Sequence, residues 1–205
     1  MKHNYATLKL KATDCLKKLL SEFVDVDSKD IEQIASLCEI DFYDKNDIII
    51  KEREVSTNLY FICKGLIRIY FFKNEKLVID RFEKEGGFFG GNYNHLTAYP
   101  GIRTFEALED LVLLKMKQSD FEILCKNNHK IETLHRKILE SIHYAYIDRF
   151  FAQKSSSAEE RYLDYINNNQ EIASRISLKN LASYLDMTSE TLSRIRAKYD
   201  LNTKT

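Results

Sequence analysis

The segment Ile176–Thr205, ISLKNLASYLDMTSETLSRIRAKYDLNTKT, constrains the fold more than any other stretch, because its apolar residues form two short helical stripes separated by three residues. A helix from about Leu178 to Leu185 places Leu178, Leu181, Ala182 and Leu185 on one face, and a second from Ser189 to Tyr199 does the same with Leu192, Ile195 and Tyr199, following the three-and-four spacing of an amphipathic helix. The link Asp186-Met187-Thr188 is of the length that sets two helices at a steep angle, and small Ala182 lets them approach. Thr188 is expected to cap the second helix, its hydroxyl accepting from a backbone N–H with no helical partner. The polar face then carries Ser189, Glu190, Ser193, Arg194, Arg196 and Lys198. A glutamate accepts from the cytosine amine, an arginine donates twice to guanine, and serine or lysine holds phosphate, provided the helix enters a major groove by its N-terminal half. Thr188, Ser189, Glu190, Arg194, Arg196 and Lys198 are therefore the candidate DNA-binding residues. The spacing of Glu190 and Arg194 also suits an ordinary solvated ion pair.

Net charge is zero over 205 residues, so no global basic field attracts nucleic acid and any affinity must come from a local patch. From Glu171 onward there are six basic and four acidic residues, an excess of two. Dimerisation would double that thin patch. With 44% hydrophobic residues the chain can bury a core of one or two domains, and two are expected. No apolar run is long enough to span a bilayer, and the N-terminal MKHNYATLKLKATD lacks a signal-peptide core, so a cytoplasmic protein without a membrane partner is expected. Cys15, Cys38, Cys63 and Cys125 lack the paired spacing of a zinc or iron–sulfur site. Reduced structural thiols are the expectation.

Ahead of the C-terminal pair the hydrophobic period changes twice. Residues from about Thr7 to Glu39 suggest two short helices, with Leu16, Leu19, Leu20 and Phe23 as one stripe and Ile31, Ile34, Ala35 and Cys38 as another. From Ile40 to Leu114 come short runs such as DIIIK, LYFICKG, LIRIYFF, KLVIDRFE and LVLLKM, separated by glycines and charged turns, the signature of an antiparallel barrel, roll or sandwich. Gly65 sits in one of these turns, where positive φ suits glycine. After Lys117 the pattern is helical again, with a short helix around Asp120–Cys125 and a long one from about His129 to Ala152. That long helix is apolar on more than one side, which calls for two neighbours: its own β domain and a second copy. The dimer interface is assigned to Ile131, Leu134, Ile138, Ile142 and Ala145. Gln153–Ser157 is expected to be a polar linker, and Ser157 with Glu160 has capping-box spacing for the next helix.

An enzyme is not expected. The β region holds one histidine, His95, too few for a metal-dependent barrel enzyme. His129, His135 and His143 occupy polar positions of the long helix, and neither a Gly-x-x-x-x-Gly-Lys loop nor a Gly-x-Ser-x-Gly elbow is present. Neither a metal nor a cofactor is called for.

A glycine-punctuated β-roll, a long helix and a C-terminal helix pair, in that order, resemble the Crp/Fnr family of bacterial transcription regulators over nearly the whole chain. Ser189-Glu190-Thr191-Leu192-Ser193-Arg194 is similar to the family's recognition motif Arg-Glu-Thr-Val-Gly-Arg, so the resemblance assigns base reading to Glu190 and Arg194. Ser189 replaces the first arginine, which implies a different operator, and Asp186 stands where the family has glycine in the turn. Gly86–Asn92 is similar to the segment opening the family's phosphate-binding cassette, but Gly91 stands for the ribose-binding glutamate. Gly101 stands for the phosphate-binding arginine, with Arg103 two residues on. Losing two charge-assisted contacts of about 1.5 to 3 kcal/mol each argues against cyclic AMP. The candidate effector pocket is Gly90, Gly91, Asn92, Arg103 and Thr104.

The implied fold class is α+β: an N-terminal antiparallel β-roll (double-stranded β-helix) with flanking helices, a long dimerisation helix and a helical helix-turn-helix domain. The corresponding domains are a cyclic-nucleotide-binding-like sensor over 1–127, the dimerisation helix over 128–153 and the DNA-binding domain over 154–205. Implied partners are palindromic double-stranded DNA, a second copy, RNA polymerase and a small-molecule effector. The alternative is a ligand-binding or interaction module whose DNA-binding part has degenerated.

Overall fold

The computed structural model describes residues 14–17, 20, 27–90, 93–94 and 99–202. Among the described residues are ten strands: β1 (Glu39–Tyr43), β2 (Ile48–Ile50), β3 (Asn58–Lys64), β4 (Ile67–Lys73), β5 (Lys76–Glu83), β6 (Phe88–Gly90), β7 (Tyr93–Asn94), β8 (Tyr99–Pro100), β9 (Thr104–Ala107) and β10 (Leu111–Lys117). Helix α1 (Ser28–Ser36) precedes them, and α2 (Gln118–Asn127), α3 (His129–Ser155), α4 (Ala158–Arg175), α5 (Leu178–Tyr184) and α6 (Ser189–Asn202) follow. Residues 14–17 are helical too; Leu16 and Leu20 are buried, whereas Leu19 and Phe23 of the expected stripe lie outside the described residues.

The strands form two four-stranded sheets, β1-β10-β3-β6 and β2-β9-β4-β5, with β7 and β8 as a separate pair. Side chains alternate across a strand, and in β3 this sends Tyr60 and Ile62 into the core shared by both sheets, along with Ile50, Ile67, Ile69, Phe89, Phe105 and Leu113. Tyr60 stacks on Phe89 at 4.8 Å between ring centroids, and Phe89 on Phe105 at 5.4 Å. The roll interior is therefore a continuous aromatic stack. Gly65 has φ +97°, as its turn requires, and a Cβ there would meet Leu111 Cδ2 at 2.6 Å and the Asp110 carbonyl at 2.7 Å. Asn74 and Glu75 both take positive φ, the backbone of a tight two-residue hairpin between β4 and β5.

The chain divides into two compact units, Met1–Ile69 with Glu83–Ser141, and Tyr70–Phe82 with Ile142–Thr205. In the first, α3 contributes Ile131, Leu134 and Ile138, at 0%, 0% and 5% exposure. This corrects the expected dimer interface: these three residues are consumed inside their own unit, Ile142 is half-buried, and only Ala145 of the five is exposed. The three-and-four periodicity located an apolar stripe correctly but does not say which neighbour it meets. The large exposed apolar residues of α3 are Leu139, Tyr144, Phe150 and Phe151. The helix also continues to Ser155, whose hydroxyl donates to the Phe151 carbonyl at 2.8 Å, so the expected linker shrinks to Ser156 and Ser157.

In the second unit, Tyr162, Tyr165, Leu181, Ala182, Leu185, Leu192 and Ile195 form the core. The capping box at the start of α4 is complete: Ser157 Oγ accepts from Glu160 N at 3.2 Å, and Glu160 Oε2 accepts from Ser157 N at 2.7 Å. The outer part of the β4–β5 hairpin belongs to this unit because polar side chains hold it there. Ser183 Oγ on α5 accepts from Ile79 N at 3.1 Å and donates to the Leu77 carbonyl at 3.2 Å, pairing the open edge of β5. Arg149 on α3 donates to the carbonyls of Ile79 at 3.1 Å and Tyr184 at 3.2 Å and also to that of Asp80, with its guanidinium 4.3 Å from the Tyr184 ring centroid. Tyr146 OH completes the clamp by donating to Asp80 Oδ2 at 2.9 Å.

Candidate functional site

Helices α5 and α6 are joined by a short turn whose geometry rests on three local devices. Leu185 ends α5, its N–H returning to the Leu181 carbonyl at 2.9 Å. Asp186 then takes φ +52°, a left-handed conformation that aspartate tolerates better than most residues. Thr188 Oγ1 accepts from Thr191 N at 3.1 Å, which is the cap the sequence suggested. A fourth device comes from outside the pair. Arg161 on α4 donates Nε to the Leu185 carbonyl at 3.0 Å, Nη2 to the Asp186 carbonyl at 3.3 Å and Nη1 to the Ser156 carbonyl at 2.6 Å. Nothing local in the sequence distinguishes an arginine aimed at distant carbonyls, as Arg149 and Arg161 are, from a solvated one.

The buried stripe of α6, Leu192 and Ile195, fixes which face remains outside. Glu190, Ser193, Arg194, Arg196, Ala197 and Lys198 are exposed and Ser189 is half-exposed. The Glu190 carboxyl lies below its ordinary range, held first by a backbone N–H at its helix N-terminus, then by Thr188, with Arg194's charge a smaller contributor. Arg194 Nη2 donates to Thr191 Oγ1 at 3.4 Å. Two acceptor-and-donor groups thus stand at the free N-terminal end of α6. Lys198 is placed differently: its Nζ meets Glu159 Oε1 at 2.7 Å, and Tyr199 OH donates to the same oxygen.

In the roll, three of the five candidate effector residues are described. Gly90 ends β6 opposite Leu59, buried Thr104 accepts from Glu52 N at 3.2 Å, and Arg103 is exposed. Gly91 and Asn92, like His95, lie outside the described residues. Among the described residues no group of three or more His, Cys, Asp or Glu side chains could hold a metal. His129 is exposed beside Glu132, but His135 departs from the expected polar position: its ring packs edge-on against Phe121, and burial lowers its pKa. No helix among the described residues is long and apolar enough to cross a membrane.

Residues 40–128 match the cyclic nucleotide-binding domain family. No curated protein matches the chain. Among solved structures, FixK2 of Bradyrhizobium japonicum is similar over 81% of this chain and 86% of its own, at 20% identity and a TM-score of 0.70. The c-di-GMP-responsive global regulator CLP of Xanthomonas campestris aligns over 86% of this chain and 93% of its own, at 12% identity and 0.68. A protein of Eubacterium rectale described as a transcriptional regulator of the Crp/Fnr family aligns over 87% and 85%, at 13% identity and 0.65. At these identities the likeness is one of fold: a cyclic-nucleotide-binding β-roll followed by C-terminal helices, as the order of elements along the sequence suggested.

Proposed function

We propose that this chain is a sequence-specific DNA-binding transcription regulator of the Crp/Fnr type that acts as a homodimer, with a β-roll that answers to something other than cyclic AMP. The observation that carries the reading is α6. It is capped at Thr188 and packed through Leu192 and Ile195, and it presents Glu190 and Arg194 from its exposed N-terminal turns. A helix entering a major groove by its N-terminus puts such groups against base edges. Thr188, Ser189 and Arg196 lie beside them and suit phosphate. Lys198 joins that set only by leaving Glu159.

The homodimer reading moves to the solvent side of α3. Leu139, His143, Ile147 and Phe150 follow three-and-four spacing, and Leu139 and Phe150 are 49% and 55% exposed. That stripe is the kind of apolar seam two long helices share. The reading against cyclic AMP rests on Gly91 in place of the ribose-binding glutamate and on exposed Arg103 two residues beyond the position of the phosphate-binding arginine.

Selection from randomised duplexes tests the DNA reading. Wild-type protein should enrich a palindrome with half-sites about one helical turn apart. Arg194→Ala should lose about 1 to 3 kcal/mol on that site and relax one base pair per half-site. No enrichment by wild type would leave the degenerate-module alternative standing, and unchanged operator choice in Arg194→Ala would reduce Glu190 and Arg194 to a surface ion pair.

A further inference from the structure

The four cysteines are far apart in sequence, yet the fold gathers three of them. Cys15 lies in the helical stretch 14–17, and its Sγ donates to the Ile62 carbonyl at 3.7 Å. Ile62 points into the roll core, so strand alternation sends the next side chain, Cys63, out of the opposite face of β3. The Cys15 bond to the Ile62 carbonyl holds its sulfur beside the next residue, Cys63, whose thiol pKa Cys15 raises, with Cys38 a smaller influence. Cys38 itself is committed to its own helix, donating to the Ile34 carbonyl at 3.3 Å. All four cysteines are free thiols and none is fully buried.

We propose that Cys15 and Cys63 are a modification site: a thiol pair that closes to a reversible intramolecular disulfide, stapling the helical stretch around Cys15 to the outer face of β3. Two thiols brought to one part of β3 by the Cys15 bond to the Ile62 carbonyl are confined near one another, so each presents the other with a high local thiol concentration. The oxidant is a small-molecule disulfide of the glutathione class. One protein thiolate attacks a glutathione sulfur, forming a mixed disulfide and expelling one glutathione thiolate, which takes up a proton. The second protein sulfur, deprotonated, attacks the protein sulfur of that mixed disulfide and expels the second glutathione. Overall, two protein thiols lose two protons and two electrons, and one glutathione disulfide becomes two glutathione thiols.

The neighbouring Cys15 thiol and burial push the Cys63 thiol well above its ordinary pKa. Scarce thiolate makes the first attack slow, which suits a pair closed by sustained oxidation rather than a rapid peroxide sensor. Cys38, pushed up to about 12 by burial, is a poor competitor for either sulfur.

The test is equilibration of the folded full chain with excess glutathione disulfide, followed by acid quench, alkylation and peptide mapping by mass spectrometry. The expected product contains a Cys15–Cys63 linkage and alkylates at two positions, four thiols minus the two joined. Cys15→Ser and Cys63→Ser should each abolish the linkage, and Cys125→Ser should leave it intact. Circular dichroism before oxidation identifies any variant that has lost its fold, for which Cys63→Ala takes the place of serine. Four alkylatable thiols after equilibration, glutathione adducts without an internal linkage, or a linkage involving Cys38 would overturn the assignment.

Discussion

The β-roll and the C-terminal helical unit are stabilised by different means. The roll is held by apolar alternation: Ile62, Ile67, Ile69 and Leu113 are fully buried and stack with Phe89 and Phe105 in one interior cluster. The helical unit has a smaller core, and its architecture leans on side chains that satisfy distant backbone carbonyls: Arg149 on Ile79 and Tyr184, Arg161 on Leu185 and Asp186, Ser183 on Leu77. Burial without direction tolerates exchange of one apolar residue for another of similar volume. A directed bond to a carbonyl does not.

The largest effect should come from emptying the roll. Phe89→Ala removes the middle ring of the stack and leaves a cavity, at a cost of about 3 to 5 kcal/mol; the urea midpoint of the roll should fall steeply, while Phe89→Leu should recover much of the loss. If Phe89→Ala leaves that midpoint unmoved, the interior is not packed as described.

Arg161→Met keeps the aliphatic stem but strands three carbonyls, and at about 1 to 3 kcal/mol it should loosen the α5–α6 turn. Amide exchange at Leu185, Met187 and Thr188 should quicken without a change in the roll. Arg161→Lys should not rescue, since one ammonium cannot span carbonyls that a planar guanidinium reaches together.

Thr188→Ala removes a single cap and should cost about 1 kcal/mol, fraying the first turn of α6. A fall in helicity confined to that turn, seen by carbon chemical shifts, would check it; Thr188→Ser should behave as wild type.

The smallest effect concerns pH. The bond from Lys198, and next that from Tyr199, hold the Glu159 carboxyl below its ordinary value of 4.5. Its contribution to stability is therefore present above that value and is lost as pH falls through the lower folded value. Lys198 is exposed and Glu159 half-exposed, so the difference in thermal midpoint between wild type and Glu159→Gln should be slight at pH 7 and vanish towards pH 3. A difference that grows on acidification would reverse the assignment.

What could be read in advance was local. The strand runs, the positive φ of Gly65, the Ser157–Glu160 box and the Thr188 cap each depend on residues within a few positions of one another, and sequence carries that information directly. The stripe Ile131, Leu134 and Ile138 was legible as a stripe but not as to its partner, because periodicity records a face and not the surface opposite it. The ties from Arg149, Arg161 and Ser183, the Lys198–Glu159 pair and the meeting of Cys15 with Cys63 join residues far apart in the chain. Their residue types are common on any surface, so no spacing rule flags them.

Arg161 has one further consequence. A left-handed turn is ordinarily insured by its own residue, which is why glycine is so often required there. Here the carbonyls on either side of the bend are gripped by a guanidinium from another helix, and position 186 is relieved of that duty. The bend is held by a residue 25 positions upstream. A pattern search keyed to glycine passes over such a turn, and one keyed to an arginine at that upstream offset would find others held in the same way.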